Sequence, residues 1–511
     1  MKQFFIAAFI LATVISCKEK STLEQLIPLP SQVERLEGSF EITKETVIVN
    51  GGDSATEKTA QYFSNFLKSA TGFNLKVVAP QDKPAKNFIV LEISSANNEM
   101  SQEGYQLTIL KEGISLIAGS DAGLFYGIQT IRQLLPQEIE SSTIQSLKWE
   151  IPAVNISDKP LYAYRGSMLD VSRHFFNVAD VKKYIDYLAY YKMNVFHLHL
   201  TDDQGWRIEI KSWPNLTAIG GQKEVGEGMG GFYTQDNYKE IVQYAADRHI
   251  TIIPEIDMPG HTNAALASYA TLNCNDFATQ LYTGTEVGFS SLCTQKEITY
   301  QFIEDVIREL SAITPGPYIH IGGDESHVTK KEDYIPFMER VQGIVRKYNK
   351  TPIGWDEIAT SKVLPGTLAQ YWADASNSKA AVQQGAKIIM APARKAYLDM
   401  QYDSTTTLGL HWAGYVEVDS AYSWDPATLE NGIGFNNIIG IEAPLWTETI
   451  DNLKDLQYLT FPRLAGYAEI GWTPTNFRNW ETYKLRLAEH SKRWDKMNIN
   501  YYRSPKVYPK D

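Results

Sequence analysis

The sequence predicts an α/β fold, a (β/α)8 TIM barrel preceded by a smaller α+β domain. The first observation behind this prediction is a rhythm of strand, loop and helix that repeats eight times after about residue 160. The second is the length of 511 residues, which exceeds one ordinary domain and suits a large barrel with a smaller partner. An open doubly wound sheet is the competing fold, but no glycine-rich fingerprint follows any predicted strand.

The first 17 residues have the pattern of an export signal. Lys2 supplies a positive charge, and residues 4–16 form an apolar run that is too short to span a bilayer as a permanent helix. The run ends at Cys17, directly after the small Ser16, and this junction resembles a bacterial lipobox. Residues 1–17 are therefore predicted to be a lipoprotein signal peptide with Cys17 as the lipidated cysteine, and an ordinary signal peptide is the alternative. We expect an exported protein, lipid-anchored to the bacterial cell envelope, that contacts the membrane only through this anchor.

Residues 18–155 are predicted to form the α+β domain. Residues 56–69 have the helical spacing of apolar side chains, and the stretch from Ile151 to Pro160 marks the boundary. Strand-like runs of β-branched or alternating residues occur at 46–49, 88–91 and 105–109. Nothing in this part of the sequence has the pattern of a catalytic site.

Residues 156–511 are predicted to form the barrel. Helical periodicity occurs between its strands, as where Val181, Ile185 and Leu188 share one face. The predicted strands are the runs 165–171, 194–200, 251–255, 318–322, 352–355, 368–372, 387–391 and 438–444.

Two cysteines in the barrel segment, Cys274 and Cys293, are candidates for a disulfide. In an oxidising compartment they would close one loop and contribute roughly 3 kcal/mol. The surrounding stretch is polar and contains Gly and Thr, so a bracing disulfide is favoured. Reduced, buried cysteines are the alternative.

Acidic residues and tryptophans follow nearly every predicted strand of the barrel. Catalytic groups of such barrels lie at the C-terminal ends of the strands. Carboxyl groups bind hydroxyls and transfer protons, while tryptophan walls fit the apolar face of a sugar ring. The pattern therefore indicates a saccharide pocket. The net charge of −12 also argues against nucleic acid as a partner, because phosphate backbones attract basic surfaces.

Four motifs resemble those of the glycoside hydrolase family 20 β-N-acetylhexosaminidases. They are Tyr164-Arg165-Gly166 and the runs 197–207 (HLHLTDDQGWR), 254–261 (PEIDMPGH) and 320–325 (HIGGDE). The resemblance covers nearly the whole chain after the signal, although before the barrel it is only architectural. It implies an exo-acting, retaining enzyme that removes terminal non-reducing β-linked N-acetylglucosamine or N-acetylgalactosamine from a glycan substrate, with no cofactor and no metal.

The resemblance also implies substrate-assisted catalysis, in which the acetamido oxygen of the substrate attacks the anomeric carbon and forms an oxazolinium intermediate. Glu325 would be the acid and then the base, Asp324 would orient the acetamido group, and Tyr397 would hydrogen-bond its oxygen. Consecutive strand residues face opposite ways, so both acids share one pocket only at a turn, which Gly322-Gly323 permits. Their repulsion and partial burial are expected to raise a pKa, as a general acid requires.

The residues that would hold the sugar are implied in the same way. Arg165 and Glu448 would grip the distal hydroxyls, although a buried salt bridge at the strand start is the alternative for Arg165. Asp399 would assist Asp324 or a hydroxyl, or would be structural. The expected walls are Trp355, Trp372 and Trp446, with Trp412 near the rim and core packing as the alternative for each.

Asp202 and His261 resemble the pair that supports the acid from behind, and the adjacent Asp203 leaves that assignment open. The main competing class is a metal-dependent hydrolase, because His197 and His199 form an H-x-H pair on one strand. Such a site needs further ligands at later strand ends, but His320 lies within the fourth strand and His411 in a loop, so a convincing set is missing.

Other competing functions are a non-catalytic sugar-binding protein, which would not need the acid, and a disaccharide-releasing relative such as a lacto-N-biosidase, which would need a wider pocket. The sequence does not distinguish N-acetylglucosamine from N-acetylgalactosamine. It also leaves open the natural glycan, the membrane face and the oligomeric state.

Overall fold

A computed structural model describes residues 22–94 and 100–508 of the chain. The predicted signal peptide, residues 1–17 with Cys17, lies outside the described residues. Within the described part, a mixed N-terminal sheet is followed by a closed barrel of eight parallel strands, which confirms the predicted fold class. No helix in residues 22–94 and 100–508 is both long and apolar enough to cross a membrane.

The N-terminal domain is a seven-stranded sheet covered by two long helices. Its strands are β1 (Gln32–Ile42), β2 (Val47–Val49), β3 (Lys76–Val78), β4 (Phe88–Ile93), β5 (Tyr105–Leu110), β6 (Gly113–Ala118) and β7 (Trp149–Asp158), in the spatial order β1-β7-β5-β6-β4-β2-β3. The helices are α1 (Ser54–Thr71) and α2 (Asp121–Leu134). Ala60, Phe63 and Leu67 of α1 are fully buried, as their helical spacing indicates. Because β7 pairs with β5 as far as Asp158, the domain extends past the predicted boundary at residue 155.

The barrel strands all pair in parallel, and the last strand closes onto the first. The strands are β8 (Tyr164–Asp170), β9 (Val195–His199), β10 (Thr251–Glu255), β11 (Tyr318–His320), β12 (Thr351–Trp355), β13 (Leu368–Tyr371), β14 (Lys387–Met390) and β15 (Ile438–Leu445). Each predicted strand lies within two residues of an observed one at both ends.

The helices of the barrel domain alternate with these strands and complete its outer layer. They are α3 (Val178–Tyr190), α4 (Asn215–Ala218), α5 (Gln235–Ala246), α6 (Asn263–Ser268), α7 (Glu297–Ile313), α8 (Lys331–Lys347), α9 (Ala375–Gln383), α10 (Ala393–Ala396), α11 (Val418–Tyr422), α12 (Leu453–Thr460), α13 (Arg463–Trp472) and α14 (Trp480–Lys496). Their buried faces are apolar, as on α7, where Phe302, Val306 and Leu310 are excluded from solvent.

The two domains meet around buried ion pairs at the N-terminal end of the barrel strands. Arg165, near the start of β8, donates hydrogen bonds of 3.0 and 2.8 Å to the two carboxyl oxygens of Glu103 in the first domain. It also donates to the backbone oxygens of Lys192 and Tyr162. The expectation that Arg165 holds the substrate is therefore wrong. Its side chain is fully buried among these partners and does not line the pocket, and the start of a barrel strand lies at the end opposite the catalytic face.

Candidate active site

A pocket of about 220 Å³ lies at the C-terminal ends of the barrel strands. This volume is smaller than the roughly 300–1,000 Å³ of pockets that hold drug-sized ligands, so it suits a single sugar ring. The lining residues are Arg173, His261, Thr285, Val287, Asp324, Glu325, Trp372, Tyr397, Asp399, Leu410, Trp412, Trp446 and Glu448.

Asp324 and Glu325 reach this pocket together because the chain turns sharply after β11. Gly322 and Gly323 have φ angles of 60° and 104°, in the left-handed region that favours glycine. A Cβ atom on Gly322 would lie only 1.7 Å from Oδ1 of Asp257, and the same oxygen accepts a 3.0 Å hydrogen bond from the backbone of Gly323. The turn thus has the form that the two glycines predict, and it places both acids on the pocket wall.

His261 contacts both acids from behind. Its Nε2 lies 3.6 Å from Oδ2 of Asp324 and 3.6 Å from Oε2 of Glu325. Its Nδ1 lies 3.1 Å from Oδ1 of Asp202. Asp203 instead accepts a 2.5 Å hydrogen bond from Ser290, so Asp202 is the carboxyl group that supports His261. Both His261 and Glu325 have left-handed backbone conformations, with φ of 54° and 44°, which cost free energy and concentrate at functional sites.

The two acids differ in their pKa values. Burial, followed by the charges of Asp257 and Glu325, raises the pKa of Asp324 well above its usual value. Burial acts in the same direction on Glu325, but the neighbouring imidazolium of His261, with a contribution from the charge of Arg173, holds the pKa of Glu325 below its usual value. The expected rise thus falls on Asp324, whose side chain is 10% exposed, and not on Glu325, which is 29% exposed and better solvated.

Two further carboxyl groups of the pocket have oxygens without a hydrogen-bond partner. Both carboxyl oxygens of Asp399 and Oε2 of Glu448 are buried and unpaired. Burial, followed by the charge of Glu448, raises the pKa of Asp399 well above its usual value. Buried polar atoms are normally hydrogen-bonded. Unpaired oxygens on a pocket wall are suited to accept hydrogen bonds from the hydroxyls of a ligand.

Arg173 supplies the cationic side of the pocket. Its Nη2 lies 2.9 Å from Oδ2 of Asp202, and its Nη1 lies 3.4 Å from Oδ2 of Asp170. The guanidinium group also lies over the ring of Trp446, 4.8 Å from the centroid. Arg173 follows the C-terminal end of β8, so it occupies the catalytic end of the strand at whose start Arg165 lies.

Aromatic rings form the remaining walls. Trp412 is 56% exposed and meets Trp372 and Tyr397 edge to face, at centroid distances of 5.9 and 6.0 Å. Trp446 and Tyr397 are buried and line the pocket. Trp355 does not line the cavity itself. It packs behind Trp446 at 5.8 Å and donates a 2.9 Å hydrogen bond from Nε1 to Glu255.

A disulfide-braced loop contributes the last part of the pocket wall. The structure joins Cys274 to Cys293, the two cysteines predicted to pair. Between them, Thr285 and Val287 line the pocket. Gly288 has a φ of 77°, and a Cβ atom there would lie 2.2 Å from Nδ1 of His327. The loop therefore packs closely against the segment that carries Glu325.

The buried histidines of the barrel form a network with carboxyl groups. His320, within the fourth barrel strand, stacks on His197 at 4.6 Å, and both lie near Glu255 with ligand atoms within 4.8 Å of one another. His199 lies between Glu255 and Asp202, at 2.5 and 2.8 Å. An imidazole that donates to two carboxylates has no lone pair for a metal ion, so His199 fits a hydrogen-bonded network better than a metal site.

Fold and pocket together define a glycoside hydrolase, because a (β/α)8 barrel with acidic groups and aromatic walls at its catalytic end is built to bind and protonate a sugar. The family model described as "Glycosyl hydrolase family 20, catalytic domain" matches residues 162–475. The model described as "Glycosyl hydrolase family 20, domain 2" matches residues 24–159. The chain belongs to glycosyl hydrolase family 20.

Individual relatives agree with this family. The chain is 40% identical to a β-N-acetylhexosaminidase of Cellulomonas fimi, over 94% of this chain and 96% of the relative. It is similar to the structure of the β-N-acetylhexosaminidase of Streptomyces coelicolor, with 48% identity, a TM-score of 0.92 and coverage of 94% and 98% of the two chains. A mutant β-hexosaminidase of Streptomyces plicatus in complex with its product GlcNAc has 48% identity and a TM-score of 0.91, with coverage of 95% and 97%.

Four lining residues were not predicted from the sequence: Arg173, Thr285, Val287 and Leu410. A signal was available only for Arg173, which follows a strand end as catalytic groups of barrels do. Thr285, Val287 and Leu410 lie in long loops, whose path over the barrel depends on tertiary contacts and has no local sequence signature.

Proposed function

We propose that this chain is an exo-acting, retaining β-N-acetylhexosaminidase that releases terminal β-linked N-acetylglucosamine or N-acetylgalactosamine. The observation that carries the proposal is the pair Asp324 and Glu325, which share one small aromatic pocket and one histidine neighbour. A pocket of one ring's size suits the end of a glycan chain. The Streptomyces plicatus relative whose structure holds GlcNAc as product supports the same class of sugar.

In the proposed reaction the substrate provides its own nucleophile. The acetamido oxygen attacks the anomeric carbon while the glycosidic bond breaks, and Glu325 donates its proton to the departing oxygen. Because the acetamido group is already attached to the sugar, its attack has the entropic advantage of an intramolecular step. Asp324 accepts a hydrogen bond from the acetamido N–H and stabilises the positive charge that grows there, and Tyr397 donates to the acetamido oxygen.

In the second step Glu325 changes from acid to base. Glu325, now ionised, removes a proton from a water molecule that attacks the anomeric carbon, and the oxazolinium ring opens to give the product with retained configuration. In this proposal Arg173, Asp399 and Glu448 hold the sugar hydroxyls. Trp372 and Trp446 cover the ring and the acetamido group, and Trp412 stands at the rim.

The pKa values of the acids are consistent with a switch on substrate binding. Asp324 must be ionised to accept the acetamido N–H, and that hydrogen bond stabilises the ionised form and lowers its pKa. Glu325 must be protonated to act as the acid, and a sugar ring that excludes water from the pocket raises its pKa by burial. The substrate would thus reverse the order of pKa values that Asp324 and Glu325 have in the free enzyme.

The test uses protein without residues 1–17 and three phenyl β-glycosides, those of N-acetylglucosamine, N-acetylgalactosamine and glucose, whose phenol leaving group needs protonation. We expect release from the two acetamido sugars only, loss of release in Glu325→Gln, and no effect of EDTA. The ratio of the rates on the two acetamido sugars gives the preference between N-acetylglucosamine and N-acetylgalactosamine, which differ in configuration at C4. Release from none of them, or release that EDTA abolishes, would contradict the proposal and favour a disaccharide-releasing or metal-dependent enzyme.

We also propose that Cys17 carries a lipid that anchors the exported enzyme to the bacterial cell envelope. The support is the short apolar run that ends in Ser16-Cys17, together with a disulfide, which is typical of proteins outside the cytosol. Full-length protein should fractionate with membranes, and Cys17→Ser should fractionate with the soluble proteins. Soluble full-length protein, or membrane association of Cys17→Ser, would contradict the anchor.

A further inference from the structure

We propose that Glu255 and His199, in the closed centre of the barrel, are positioning residues for Glu325 and act on it through Asp202 and His261. Neither residue lines the pocket, and both are fully buried. The inference rests on the proposed function, because it concerns how the acid of that reaction is held.

The four groups form one line of alternating carboxyl and imidazole groups that ends at the acid. Oε2 of Glu255 lies 2.5 Å from Nδ1 of His199, and Nε2 of His199 lies 2.8 Å from Oδ2 of Asp202. Oδ1 of Asp202 lies 3.1 Å from Nδ1 of His261, whose Nε2 lies 3.6 Å from Oε2 of Glu325. Every contact in the line joins a possible donor to an acceptor, so the orientation of each group limits that of the next.

The inner end of the line is fixed by the barrel itself. Oε1 of Glu255 accepts a 2.9 Å hydrogen bond from Trp355, and Nδ1 of His320 lies 3.0 Å from the same oxygen. Nε2 of His197 lies 3.0 Å from the other oxygen of Glu255. These partners come from β9, β11 and β12, so Glu255 is held by three strands of a closed barrel. Because its position is fixed in this way, Glu255 can orient a residue nearer the pocket.

The donors and acceptors along the line have only one consistent arrangement. Against the effect of burial, neighbouring cationic groups lower the pKa values of Glu255 and Asp202, so both are ionised and both nitrogens of His199, which face their oxygens, carry protons. Oδ2 of Asp202 then accepts from His199 and lies 2.9 Å from Nη2 of Arg173, while Oδ1 accepts from the backbone N–H of Asp203 and lies 3.1 Å from Nδ1 of His261. With Nδ1 of His261 donating to Asp202, its Nε2 faces Glu325.

The charges support this arrangement. Burial opposes protonation of His199, but the charges and hydrogen bonds of Glu255 and Asp202 hold its pKa well above the usual value. Burial opposes ionisation of Glu255, but His199, His320 and His197 hold its pKa well below the usual value. The line is therefore a set of paired ions, and removal of one of them leaves an uncompensated charge beside the next.

His261 and Glu325, at the outer end of the line, have strained backbone conformations and therefore need other residues to hold them in position. His261 and Glu325 have φ of 54° and 44°, conformations that persist only where surrounding contacts enforce them. The 3.6 Å between their side chains is longer than a direct hydrogen bond, and such contacts tighten when substrate binds. We infer that Asp202, held by His199 and Glu255, keeps His261 in the position from which it orients Glu325.

The test compares two leaving groups with Glu255→Gln and His199→Gln. An N-acetylglucosaminide of a sugar needs protonation of its leaving oxygen, whereas a 2,4-dinitrophenyl N-acetylglucosaminide does not, and kcat/KM reports the bond-breaking step for both. We expect kcat/KM to fall about 10- to 100-fold more on the sugar than on the dinitrophenyl substrate. Both substrates depend on Asp324, which His261 also contacts, but only the sugar depends on protonation by Glu325.

The matched control is Glu469→Gln, another fully buried glutamate that is ion-paired, with Arg486 at 2.6 Å, and that lies outside this line. It should lower the melting temperature without distinguishing the two substrates. Equal losses on both substrates in Glu255→Gln and His199→Gln, or no loss on either, would overturn the inference. Wild-type protein that cleaves neither substrate would instead contradict the proposed function.

A measurement on the wild-type protein covers the case in which these variants do not fold. His197, His199 and His261 each have both nitrogens beside carboxylate oxygens. Burial opposes protonation of His197, but Glu442 and Glu255 raise its pKa to about 9. NMR of protein with ¹⁵N-labelled histidine should therefore show at least three doubly protonated rings at pH 8. A neutral ring at His199 or at His261 would overturn the inference.

Discussion

Nη2 of Arg173 lies 2.9 Å from Oδ2 of Asp202, and this contact joins the wall of the sugar pocket to the groups that support the acid. Arg173 also lies over the ring of Trp446. Arg173 thus lines the pocket, packs on Trp446 and contacts the carboxylate of Asp202 that supports His261. By contrast, Arg165, eight residues earlier in the sequence, uses its donors to hold the two domains together.

Substitution of Arg173 should lower activity, whereas substitution of Arg165 should lower stability. Lysine keeps the charge but loses the planar fork that contacts two partners. We expect Arg173→Lys to lower kcat/KM about 100-fold, because misplacement of the sugar by an ångström has an effect of that size. Arg165→Lys should lower the free energy of unfolding by about 1–3 kcal/mol and leave kcat/KM within about threefold. Kinetics and thermal unfolding of both variants are the measurement, and a reversed pattern would contradict the assignment.

Loss of the acid should depend on the leaving group. Glu325→Gln is expected to lower kcat/KM on sugar leaving groups about 10²- to 10⁴-fold, the usual contribution of general acid catalysis. The loss should be much smaller on a dinitrophenyl leaving group, which departs without a proton. Steady-state kinetics on the two substrates provide the check, with circular dichroism to verify the fold. Activity within tenfold of wild type on the sugar substrate would exclude Glu325 as the acid.

Substitution of Asp324 should stabilise the protein while it inactivates the enzyme. Burial and the neighbouring Asp257 and Glu325 raise the pKa of Asp324 in the folded state. The folded state therefore binds this proton more tightly than the unfolded state, and stability is lost as pH rises above the unfolded value of about 3.9. Asp324→Asn removes that loss, so it should melt at a higher temperature than wild type at pH 7.5, with the difference shrinking toward pH 4.

The control for Asp324→Asn is Asp403→Asn. Hydrogen bonds from Thr405 lower the pKa of Asp403, so its ionised form stabilises the fold at neutral pH and the amide should melt at a lower temperature there. Thermal unfolding of both variants at pH 4, 6 and 7.5 provides the comparison. A melting temperature of Asp324→Asn below wild type at pH 7.5 would show that the carboxylate stabilises this site.

The disulfide should contribute to both stability and substrate binding. Cys274 and Cys293 are separated by 19 positions, and closing a loop of that size contributes about 3 kcal/mol. We expect the Cys274→Ser, Cys293→Ser double variant to lose that free energy of unfolding and to have a raised KM, because Thr285 and Val287 of this loop line the pocket. Denaturant unfolding and kinetics test both effects. An unchanged KM would show that the loop keeps its position without the disulfide.

The barrel strands and the Gly322-Gly323 turn before Asp324 could be predicted from the sequence because neighbouring residues in the chain determine them. Buried parallel strands such as β14 are dominated by a short apolar run, and only glycine fits the left-handed turn before Asp324. Arg165 shows where this reasoning fails. Its position in a motif suggested a role in the pocket, whereas its contact with Glu103, 62 residues away, depends on how the domains dock.

The pKa values could not be predicted from adjacency alone. Repulsion between Asp324 and Glu325 is symmetric, so the sequence does not indicate which of the two retains a proton. The difference arises from unequal burial, from Asp257, which the fold brings against Asp324, and from His261 and Arg173, which lower the pKa of Glu325. The same holds for the line from Glu255 to His261, because His199 and Asp202 lie at or after the end of β9 whereas Glu255 and His261 lie at or after the end of β10, and the two pairs meet only where these strands lie side by side.

The most direct test of the account is a series of aryl β-glycosides of glucosamine whose N-acetyl group carries none, one, two or three fluorine atoms. Each fluorine withdraws electrons from the carbonyl oxygen and weakens it as a nucleophile, while the leaving group stays the same. If the substrate's acetamido oxygen attacks the anomeric carbon, kcat/KM should fall steeply and continuously along the series. A flat dependence would contradict substrate-assisted catalysis and point to a nucleophile supplied by the enzyme.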